Sequence, residues 1–330
     1  MMRSTGNAGL AARSAIRFLV AMATVAAALT MLAGCASTIF SASKAPGDVP
    51  PIDAPRFQAR AQGAPPRVAL VLSGGAVRAF AHLGVLRVLE REGLKPDLIV
   101  GSSAGAMVGA YYASGMPIFE IEVHAARLNL PTLIDIDPVK TLLGGFGLGL
   151  ARGERLEDFL RESLNVPLQT MRTPFVAVAT DLNTGEPVLL NHGDTPRVLR
   201  ASSAVPGLYE PVRSGERVLG DGQIASPMPV GAARTLGARV VVAVDVVYPP
   251  QNASLNNPMS VLFQTVTIST YRHLLREREQ ADLVVRPVIP PTSDLALFDR
   301  EWLIAAGEAA AEKMLPALRA AFKGWQASKE

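Results

Sequence analysis

Hydrophobic residues beyond Arg67 occur either in short continuous runs or in longer stretches with helical spacing. The continuous runs at residues 68–72 and 98–100 predict strands that are buried on both faces, since they leave no polar face for solvent. Residues 79–92 and 106–114 have the spacing of helices. Strands and helices that alternate in this way favour a parallel sheet covered by helices. The predicted fold is therefore a three-layer α/β/α domain with a mostly parallel central sheet.

The pattern continues through the second half of the chain. Further strands are predicted at residues 175–182, 187–190, 240–247 and 283–287. Residues 183–186, Asn-Thr-Gly-Glu, favour a hairpin turn between the first two of these strands. Amphipathic spacing predicts a helix around residues 156–164 and a closing helix over residues 302–322, with a kink at Pro316.

The first 34 residues have the pattern of a secretory signal. Three arginines precede an apolar run over residues 18–32, which is shorter and richer in alanine than a typical membrane-spanning helix. The run ends in Leu32-Ala33-Gly34-Cys35, which resembles a bacterial lipobox. The resemblance implies a signal peptide over residues 1–34 and lipidation of Cys35, the only cysteine in the chain. An ordinary cleaved signal followed by a chance cysteine is the alternative.

Residues 35–66 are predicted to form a lipidated, proline-rich tether, and residues 67–330 the folded domain. The tether contains six prolines and little apolar periodicity, and such a segment reaches on the order of 30 Å. Ala36, not an aspartate, follows Cys35. By resemblance to lipoprotein sorting in enteric bacteria, this implies a cell-envelope protein at the outer membrane, facing the periplasm and held to the membrane by its lipid anchor.

Composition and charge exclude several other classes. The formal net charge is +3, and residues 1–34 contribute three arginines and no acidic residue, so the remainder is formally neutral. A neutral domain gives no electrostatic case for a nucleic-acid partner. A single cysteine excludes an intrachain disulfide and a cysteine-based zinc cluster. With no metal-ligand spacing and no Walker loop, we expect neither a metal nor another cofactor.

A candidate nucleophile lies between the second predicted strand and the helix that follows it. Gly101-Ser102-Ser103-Ala104-Gly105 is a G-x-S-x-G sequence, and this position favours a nucleophile elbow. The tight turn would present the Ser103 hydroxyl, while Gly101 and Gly105 leave room for the neighbouring chain. The helix N-terminus favours developing negative charge. A serine that only caps the helix is the alternative, and Ser102 occupies the wrong element of the pattern.

Residues 73–78, Ser-Gly-Gly-Ala-Val-Arg, follow the first strand and are a candidate oxyanion loop. The N–H groups of Gly74, Gly75 and Ala76 are expected to converge there, with Arg78 adding charge or holding the loop. A dinucleotide-binding turn is the alternative, but its G-x-G-x-x-G pattern is absent, because the next glycine is Gly84.

Asp221 and Gly222 follow a short apolar segment, and Asp221 is a candidate general base. Such a base needs a carboxylate in a desolvated pocket within hydrogen-bonding reach of the serine. The alternative is a turn aspartate that accepts hydrogen bonds from its own backbone. Asp245 is a rival base, but no glycine turn follows it and a structural role is favoured. Asp181 is expected to shape the hairpin.

A Ser-His-Asp triad on an α/β-hydrolase fold is the nearest structural rival. That fold has several strands before its nucleophile, whereas Ser103 comes only about 35 residues after the first strand begins. The chain has four histidines, and His82 is expected to pack inside a helix beside the oxyanion loop. His192 is expected at the surface, and His124 and His273 in charged helical surroundings.

Taken in this order, the glycine loop, the elbow and the Asp-Gly turn resemble the patatin-like phospholipase family. The resemblance extends from Arg67 to about Ala310 and includes Leu70-Val71-Leu72-Ser73-Gly74-Gly75, Ala81-His82-Leu83-Gly84-Val85-Leu86 and Ala201-Ser202-Ser203-Ala204-Val205-Pro206-Gly207. It implies a serine esterase that hydrolyses phospholipids, lysophospholipids or other acyl esters through an acyl-enzyme. Ser103 and Asp221 would then form a catalytic dyad without histidine.

Three residues depart from the family pattern. Ala76 and Ala79 stand where the oxyanion loop usually has glycines, and Gln223 replaces the last residue of D-G-G or D-G-A. An alanine N–H still donates, so the hole persists on the condition that φ at that position is negative. These departures keep open an alternative function, a catalytically weak or inactive envelope lipoprotein that binds lipid or a protein partner. The apolar stretch at residues 130–153 is either a mobile lid or a packed connector.

The lipid anchor gives the first testable prediction. When the chain is expressed in a Gram-negative host, the wild type should partition with membranes and incorporate labelled fatty acid. Cys35→Ala should incorporate none, since the thiol that carries the lipid is gone. Equal incorporation into both proteins would contradict the lipobox interpretation.

Overall fold

The computed structural model describes residues 67–128, 135, 149–250, 255–289 and 300–323. The strands are β1 Val68–Leu72, β2 Leu98–Ser102, β3 Gly149–Ala151, β4 Phe175–Asp181, β5 Pro187–Leu190, β6 Gly207–Tyr209, β7 Val212–Ser214, β8 Arg217–Asp221, β9 Val240–Val244 and β10 Leu283–Val285. The α-helices are α1 Phe80–Arg91, α2 Ala104–Ala113, α3 Ile118–Ala126, α4 Glu154–Ser163, α5 Thr195–Ser202, α6 Val230–Thr235, α7 Pro258–Glu279, α8 Arg300–Lys313 and α9 Leu315–Lys323. Short 3-10 turns cover Ala76–Ala79 and Leu168–Thr170.

The main sheet combines a parallel part with an antiparallel part. Strands β10, β9, β1, β2 and β4 are successive parallel neighbours, as the alternation of strands and helices predicts. Strands β5 and β8 pair antiparallel with β4, and β7 pairs antiparallel with β8. A separate parallel pair is formed by β3 and β6. The α/β class is confirmed, and the sheet is mixed.

Strand β4 brings β2 and β8 together end to end. Ala177 and Val178 pair with β2 on one edge and with β5 on the other. The next residues of β4, Ala179 and Thr180, still pair with β5 on that second edge, and they pair with β8 as well. Strands β2 and β8 therefore occupy consecutive positions on the same edge of β4. The carboxyl end of β2 consequently meets the carboxyl end of β8.

Helices cover both faces of the sheet, which confirms the three-layer architecture. Alternate residues of β1 belong to different cores: Leu70 and Leu72 pack with α1 to α5, α8 and α9, whereas Ala69 and Val71 pack with α6 and α7. Of the helices that the structure describes, only α6 and α7 cover the second face. Among the described helices, none has the combination of length and apolarity needed to cross a membrane.

Several predicted boundaries hold and two need correction. The hairpin at residues 183–186 and the helix α4 are confirmed. Strand β9 ends at Val244, earlier than the valine pattern predicts, and the side chain of the next residue, Asp245, pairs with Arg278 of α7. The closing helix is not one kinked helix but two, separated at Met314. Pro316 lies in the first turn of α9, where its missing N–H costs no hydrogen bond.

Some predictions fall outside the described residues. They are the signal peptide, Cys35 and the tether, all within residues 1–66, and most of the stretch at residues 130–153, for which the sequence leaves both a lid and a packed connector open. Within that stretch the structure describes residues 135 and 149–153, and the Asp135 carboxylate accepts hydrogen bonds from the N–H groups of Gly153 and Glu154 at 2.8 and 2.9 Å.

Helices α1 and α8 approach each other at two glycines. A Cβ added at Gly84 would lie 1.9 Å from the carbonyl oxygen of Ile304, and one added at Gly307 would lie 1.9 Å from that of Ala81. The two backbones are thus in direct contact, and neither position has room for a methyl group. This contact fixes α1, whose amino end begins next to the oxyanion loop.

The contact predicts that alanine at these positions destabilises the fold. Gly84→Ala and Gly307→Ala should each lower the free energy of unfolding by about 1–3 kcal/mol, because the helices must separate. Gly231→Ala in α6 is the matched control, since a Cβ there meets nothing within 4 Å. In the control, alanine's better helix propensity should raise stability by up to about 1 kcal/mol. Urea denaturation of the three purified variants measures this, and three equal effects would contradict the close contact.

Candidate active site

Ser103 lies in a strained turn between β2 and α2. Its backbone has φ 53° and ψ −127°, and in the described part of the chain only Ala76 shares with it a positive φ on a non-glycine residue. Such a conformation costs on the order of 1–3 kcal/mol and needs support from its surroundings. The neighbouring glycine is part of that support, because a Cβ at Gly105 would lie 2.3 Å from the carbonyl oxygen of Ser73. The geometry agrees with the predicted elbow.

The structure brings Ser103 and Asp221 into direct contact. The Ser103 hydroxyl donates to Oδ2 of Asp221 at 2.7 Å, although 118 residues separate the two in sequence. The register of β4 explains the contact, since Ser102 pairs with Val178 and Asp221 pairs with the next residue, Ala179. Both side chains are buried, with 5% of Ser103 and 2% of Asp221 exposed.

Asp221 is a carboxylate held in a desolvated position. Burial raises its pKa to about 6, while hydrogen bonds from the Gln223 backbone N–H, the Ser103 hydroxyl and the Gln223 side chain act in the opposite direction. The Gln223 N–H donates to Oδ1 at 2.8 Å, which leaves Oδ2 to the serine. Above about pH 6 the carboxylate is therefore ionised, and Oδ2 accepts the hydrogen bond from the Ser103 hydroxyl.

Ser202, at the end of α5, holds the backbone at Ser103 and the backbone just after Asp221. Its hydroxyl accepts the Ser103 N–H at 3.0 Å and donates to the Val178 carbonyl oxygen at 2.6 Å. Its own carbonyl accepts the Gly222 N–H at 3.0 Å. Sequence reasoning assigned Ser202 no role, although the segment at residues 201–207 is part of the family resemblance. The only sequence feature that could have indicated a role was the family motif at residues 201–207, which lies far from the elbow in sequence.

The glycine at 222 is required by close packing against β4. A Cβ there would lie 2.1 Å from the Val178 carbonyl oxygen and 2.6 Å from the Ser102 hydroxyl. Gly101 is similarly enclosed, since its Cβ would meet Ala106 at 2.6 Å. All three motif glycines, Gly101, Gly105 and Gly222, are thus positions of close backbone approach.

The predicted oxyanion loop needs two corrections. The Gly74 N–H donates to the Pro227 carbonyl oxygen at 3.0 Å, so it is not available to a substrate. Ala76 has φ 49°, so the condition of a negative φ is not met, and the residue adopts the left-handed conformation that glycine tolerates best. Among the described residues, no acceptor is bonded to the N–H of Gly75 or of Ala76. These two amides remain as candidate donors.

Gln223, the third departure from the family pattern, fills the space above Gly74. A Cβ at Gly74 would lie 2.2 Å from the Gln223 side-chain carbonyl carbon. The same side chain hydrogen-bonds Asp221. The glutamine therefore links the oxyanion loop to the candidate base.

His82 and Arg78 both hold the oxyanion loop. The buried His82 contacts the Ser73 carbonyl oxygen through Nε2 at 2.8 Å, so it is neutral and donates there. Burial lowers its pKa to about 4, against the effect of that hydrogen bond. Arg78 donates through Nε to the Val246 carbonyl oxygen at 3.2 Å. His82 thus packs beside the loop as predicted, and Arg78 has the loop-holding contact.

The rival candidates lie away from Ser103. Asp245 pairs with Arg278 at 2.5 Å, and the Val247 N–H donates to its other oxygen at 3.1 Å. Asp181 accepts N–H groups within the hairpin, as expected. All four histidines fall in the described ranges, and none of them is hydrogen-bonded to Ser103 or Asp221.

One further, partly buried carboxyl group lies near the site. Glu277 of α7 accepts the Met228 N–H at 2.8 Å and the Ser226 hydroxyl, and so secures the loop that follows Asp221. Burial raises its pKa to about 7. No sequence pattern singled it out.

An apolar cavity lies beside the elbow. Its lining includes Ala76 of the oxyanion loop and Ala104, the residue after Ser103. Leu156, Phe159 and Leu160 of α4 also line it. Within the described residues, no group of three or more His, Cys, Asp and Glu side chains could hold a metal ion. The arrangement places an apolar space next to the residue that follows Ser103.

Comparison with known proteins places these features in a family context. The family model for patatin-like phospholipases matches residues 70–234. An uncharacterized NTE family protein of Mycobacterium tuberculosis is 35% identical over 181 residues, which are 54% of this chain and 49% of that protein. Patatin-like phospholipase domain-containing protein 7 of Rattus norvegicus is 30% identical over 188 residues, 54% of this chain and 13% of that protein. This chain thus spans about half or less of the length of these relatives.

A solved structure, that of VipD from Legionella pneumophila, is similar over 77% of this chain and 67% of its own, with 16% identity and a TM-score of 0.47.

The raised pKa of Asp221 predicts how the reactivity of Ser103 depends on pH. A fluorophosphonate probe should label Ser103 at a rate that rises through about pH 6, because only the ionised carboxylate accepts the serine proton. Below that pH the carboxyl group is protonated and labelling should fall. Labelling rates measured on both sides of pH 6 test this.

Glu277→Gln is the control for the pH profile, because Glu277 is a partly buried carboxyl group that also has a raised pKa. The midpoint near pH 6 should persist in this variant. A midpoint that disappears with Glu277, or a rate that is flat across pH 6 in the wild type, would contradict the assignment to Asp221.

Proposed function

Because the chain belongs to the patatin-like phospholipase family, whose model matches residues 70–234, we propose that it is a serine hydrolase of phospholipid or lysophospholipid acyl esters. The observation that carries the proposal is the 2.7 Å hydrogen bond from the Ser103 hydroxyl to the buried Asp221 carboxylate. A serine hydroxyl is a weak nucleophile until an adjacent base can take its proton. Here the base is in contact with the hydroxyl before any substrate binds.

The proposed reaction proceeds through an acyl-enzyme. Asp221 takes the Ser103 proton as Oγ attacks the ester carbonyl carbon, and the N–H groups of Gly75 and Ala76 stabilise the oxyanion. Asp221 then gives the proton to the leaving alcohol as the ester bond breaks. Water enters, Asp221 removes its proton, and the hydroxide attacks the acyl-enzyme. The fatty acid leaves as Ser103 recovers its proton from Asp221.

The lining of the apolar cavity supports an acyl group as the part of the substrate that binds. The lining includes Ala76 and Ala104, which flank the Ser103 site, and Phe159 of α4, so an alkyl chain attached to a carbonyl group at Ser103 would enter this space. A chain in this space would be surrounded by apolar side chains, which is the environment that favours alkyl groups. The head group would remain outside the cavity.

The proposed location is the bacterial cell envelope, with the protein anchored through Cys35 to the outer membrane and facing the periplasm. A lipid anchor would hold the domain at the source of its substrate.

A second candidate is a weakly active or inactive lipid-binding lipoprotein. Two observations favour it: the Gly74 N–H is bonded to Pro227, and the Gln223 side chain bonds to Asp221. Both remove hydrogen-bonding capacity from the site. The hydrolase is favoured over the lipid-binding protein because the Ser103 hydroxyl is already hydrogen-bonded to the Asp221 carboxylate.

Substitution of the two central residues tests the proposal. Ser103→Ala should abolish probe labelling and lower ester hydrolysis by about 10³-fold or more, since it removes the attacking oxygen. Asp221→Asn keeps the shape of the carboxylate but cannot take the proton, so hydrolysis should fall almost as far. The double variant should be scarcely worse than either single one, because the two residues act in one chemical step.

Asp245→Asn is the matched control, because Asp245 is also a buried aspartate but pairs with Arg278. It should retain most hydrolysis per folded molecule. Hydrolysis that survives Ser103→Ala, or that depends on Asp245 and not on Asp221, would contradict the dyad. A wild type that never reacts with the probe or with any acyl ester would favour the lipid-binding candidate.

A further inference from the structure

The amino-terminal half of α7, residues 258–269, carries an exposed apolar surface, called here the α7 tip. Val261, Leu262, Phe263 and Ile268 are between 37% and 47% exposed. From Ser260 to Ser269 no side chain is buried, and Thr270 is the first that is. Large exposed apolar groups gathered on one element indicate a surface that binds something.

The α7 tip lies at the same end of the domain as Ser103. Helix α7 connects β9 to β10, which are parallel, so it begins at the carboxyl edge of the sheet, where β2 delivers Ser103. Its 22 residues span about 33 Å, whereas the five residues of β9 span about 17 Å. The packed half includes the buried Leu274 and His273, whose Nδ1 is 3.3 Å from the Ile224 carbonyl oxygen. Residue 258 therefore lies about 22 Å further along the helix than this contact, beyond the carboxyl edge.

Charge along this segment changes abruptly. No Asp, Glu, Lys or Arg occurs between Asp245 and Arg272. Arg272 and Arg276 follow, one helical turn apart, and both are exposed without an ion-pair partner among the described residues. An uncharged apolar tip followed by cations matches a lipid bilayer, where acyl chains lie beneath a layer of anionic phosphate groups.

The attachment of the preceding chain gives a second reason for a membrane contact. The described domain begins at Arg67, at the amino edge of the sheet, and 66 residues precede it. An anchor at Cys35 would therefore join the domain at the edge opposite Ser103. A tether of about thirty residues limits distance but does not select an orientation. A surface at the carboxyl edge is needed to turn the site toward the lipid.

A second copy of this chain fits the tip less well. Twelve helical residues are about 18 Å long and about 10 Å wide. One such face buries far less than the roughly 800 Å² that each partner contributes to a stable dimer. A bilayer has no such minimum, because a helix can insert its apolar face alone.

We propose that the α7 tip inserts into the surface of a phospholipid bilayer and presents the Ser103 site to it. The proposal rests on the proposed function, because it takes the bilayer as the source of substrate. Arg272 and Arg276 then lie at the level of the phosphate groups. The tip thus defines the orientation in which the enzyme works.

A single dye placed on the tip tests the proposal. The full chain carries Cys35→Ala, so that one introduced cysteine is labelled, and Ser103→Ala, so that lipid is not consumed. A polarity-sensitive dye at Leu262→Cys should shift to the blue and become protected from aqueous iodide when vesicles of phosphatidylethanolamine and phosphatidylglycerol are added. The control is Lys95→Cys, an exposed site at the amino edge between α1 and β2, whose dye should not change.

The other outcomes overturn the proposal. A dye at residue 262 that stays accessible with vesicles excludes insertion. Protection without vesicles that grows with protein concentration indicates a second copy, and protection without vesicles at every concentration indicates a segment of the same chain. The dye readout needs no catalysis, so its failure leaves the dyad intact, and failure of probe labelling at Ser103 leaves the membrane contact intact.

Discussion

The site depends on the order in which strands pair along one edge of β4. The pairing of β2 with β4 ends at Val178 of β4, and the pairing of β8 with β4 begins at the next residue, Ala179, in the opposite direction. The carboxyl ends of β2 and β8 therefore lie side by side. Ser103 follows the last residue of β2, Asp221 is the last residue of β8, and the two side chains are hydrogen-bonded. A shift of β8 by one residue would move the carboxylate to the other face of the sheet. Register, more than any single contact, thus determines whether the serine meets its base.

Close backbone packing maintains this register and the strain around it. Gly105 approaches Ser73, and Gly222 approaches Val178, at distances that exclude any side chain. The hydroxyl of Ser202 binds the strained Ser103 backbone to the same strand. Each of these contacts uses backbone atoms or a short side chain, so the geometry does not depend on flexible groups. The strain at Ser103 is sustained because several independent hydrogen bonds act on one turn.

The sequence predicted the parts of the site that local patterns encode. The elbow was evident because a strand run, a glycine pair and a helix are contiguous around Ser103. The antiparallel insertion of β8 was not predictable, since its five residues have no feature that selects an edge of β4. The availability of the Gly74 N–H depends on Pro227, a contact between residues far apart in sequence. The positive φ at Ala76 could not be read from the residue type, because alanine favours a negative φ and the loop imposes a positive one.

The packing of Gln223 over Gly74 makes these two positions interdependent in evolution. Any side chain at 74 would occupy the space that the glutamine fills, at 2.2 Å from its carbonyl carbon. A small residue at 223 would vacate that space and at the same time remove a hydrogen bond from Asp221. Positions 74 and 223 should therefore covary among descendants of this chain. A pair of substitutions that the fold tolerates together would be harmful when either one occurs alone. Random single-site libraries would consequently miss active combinations that paired libraries at 74 and 223 recover.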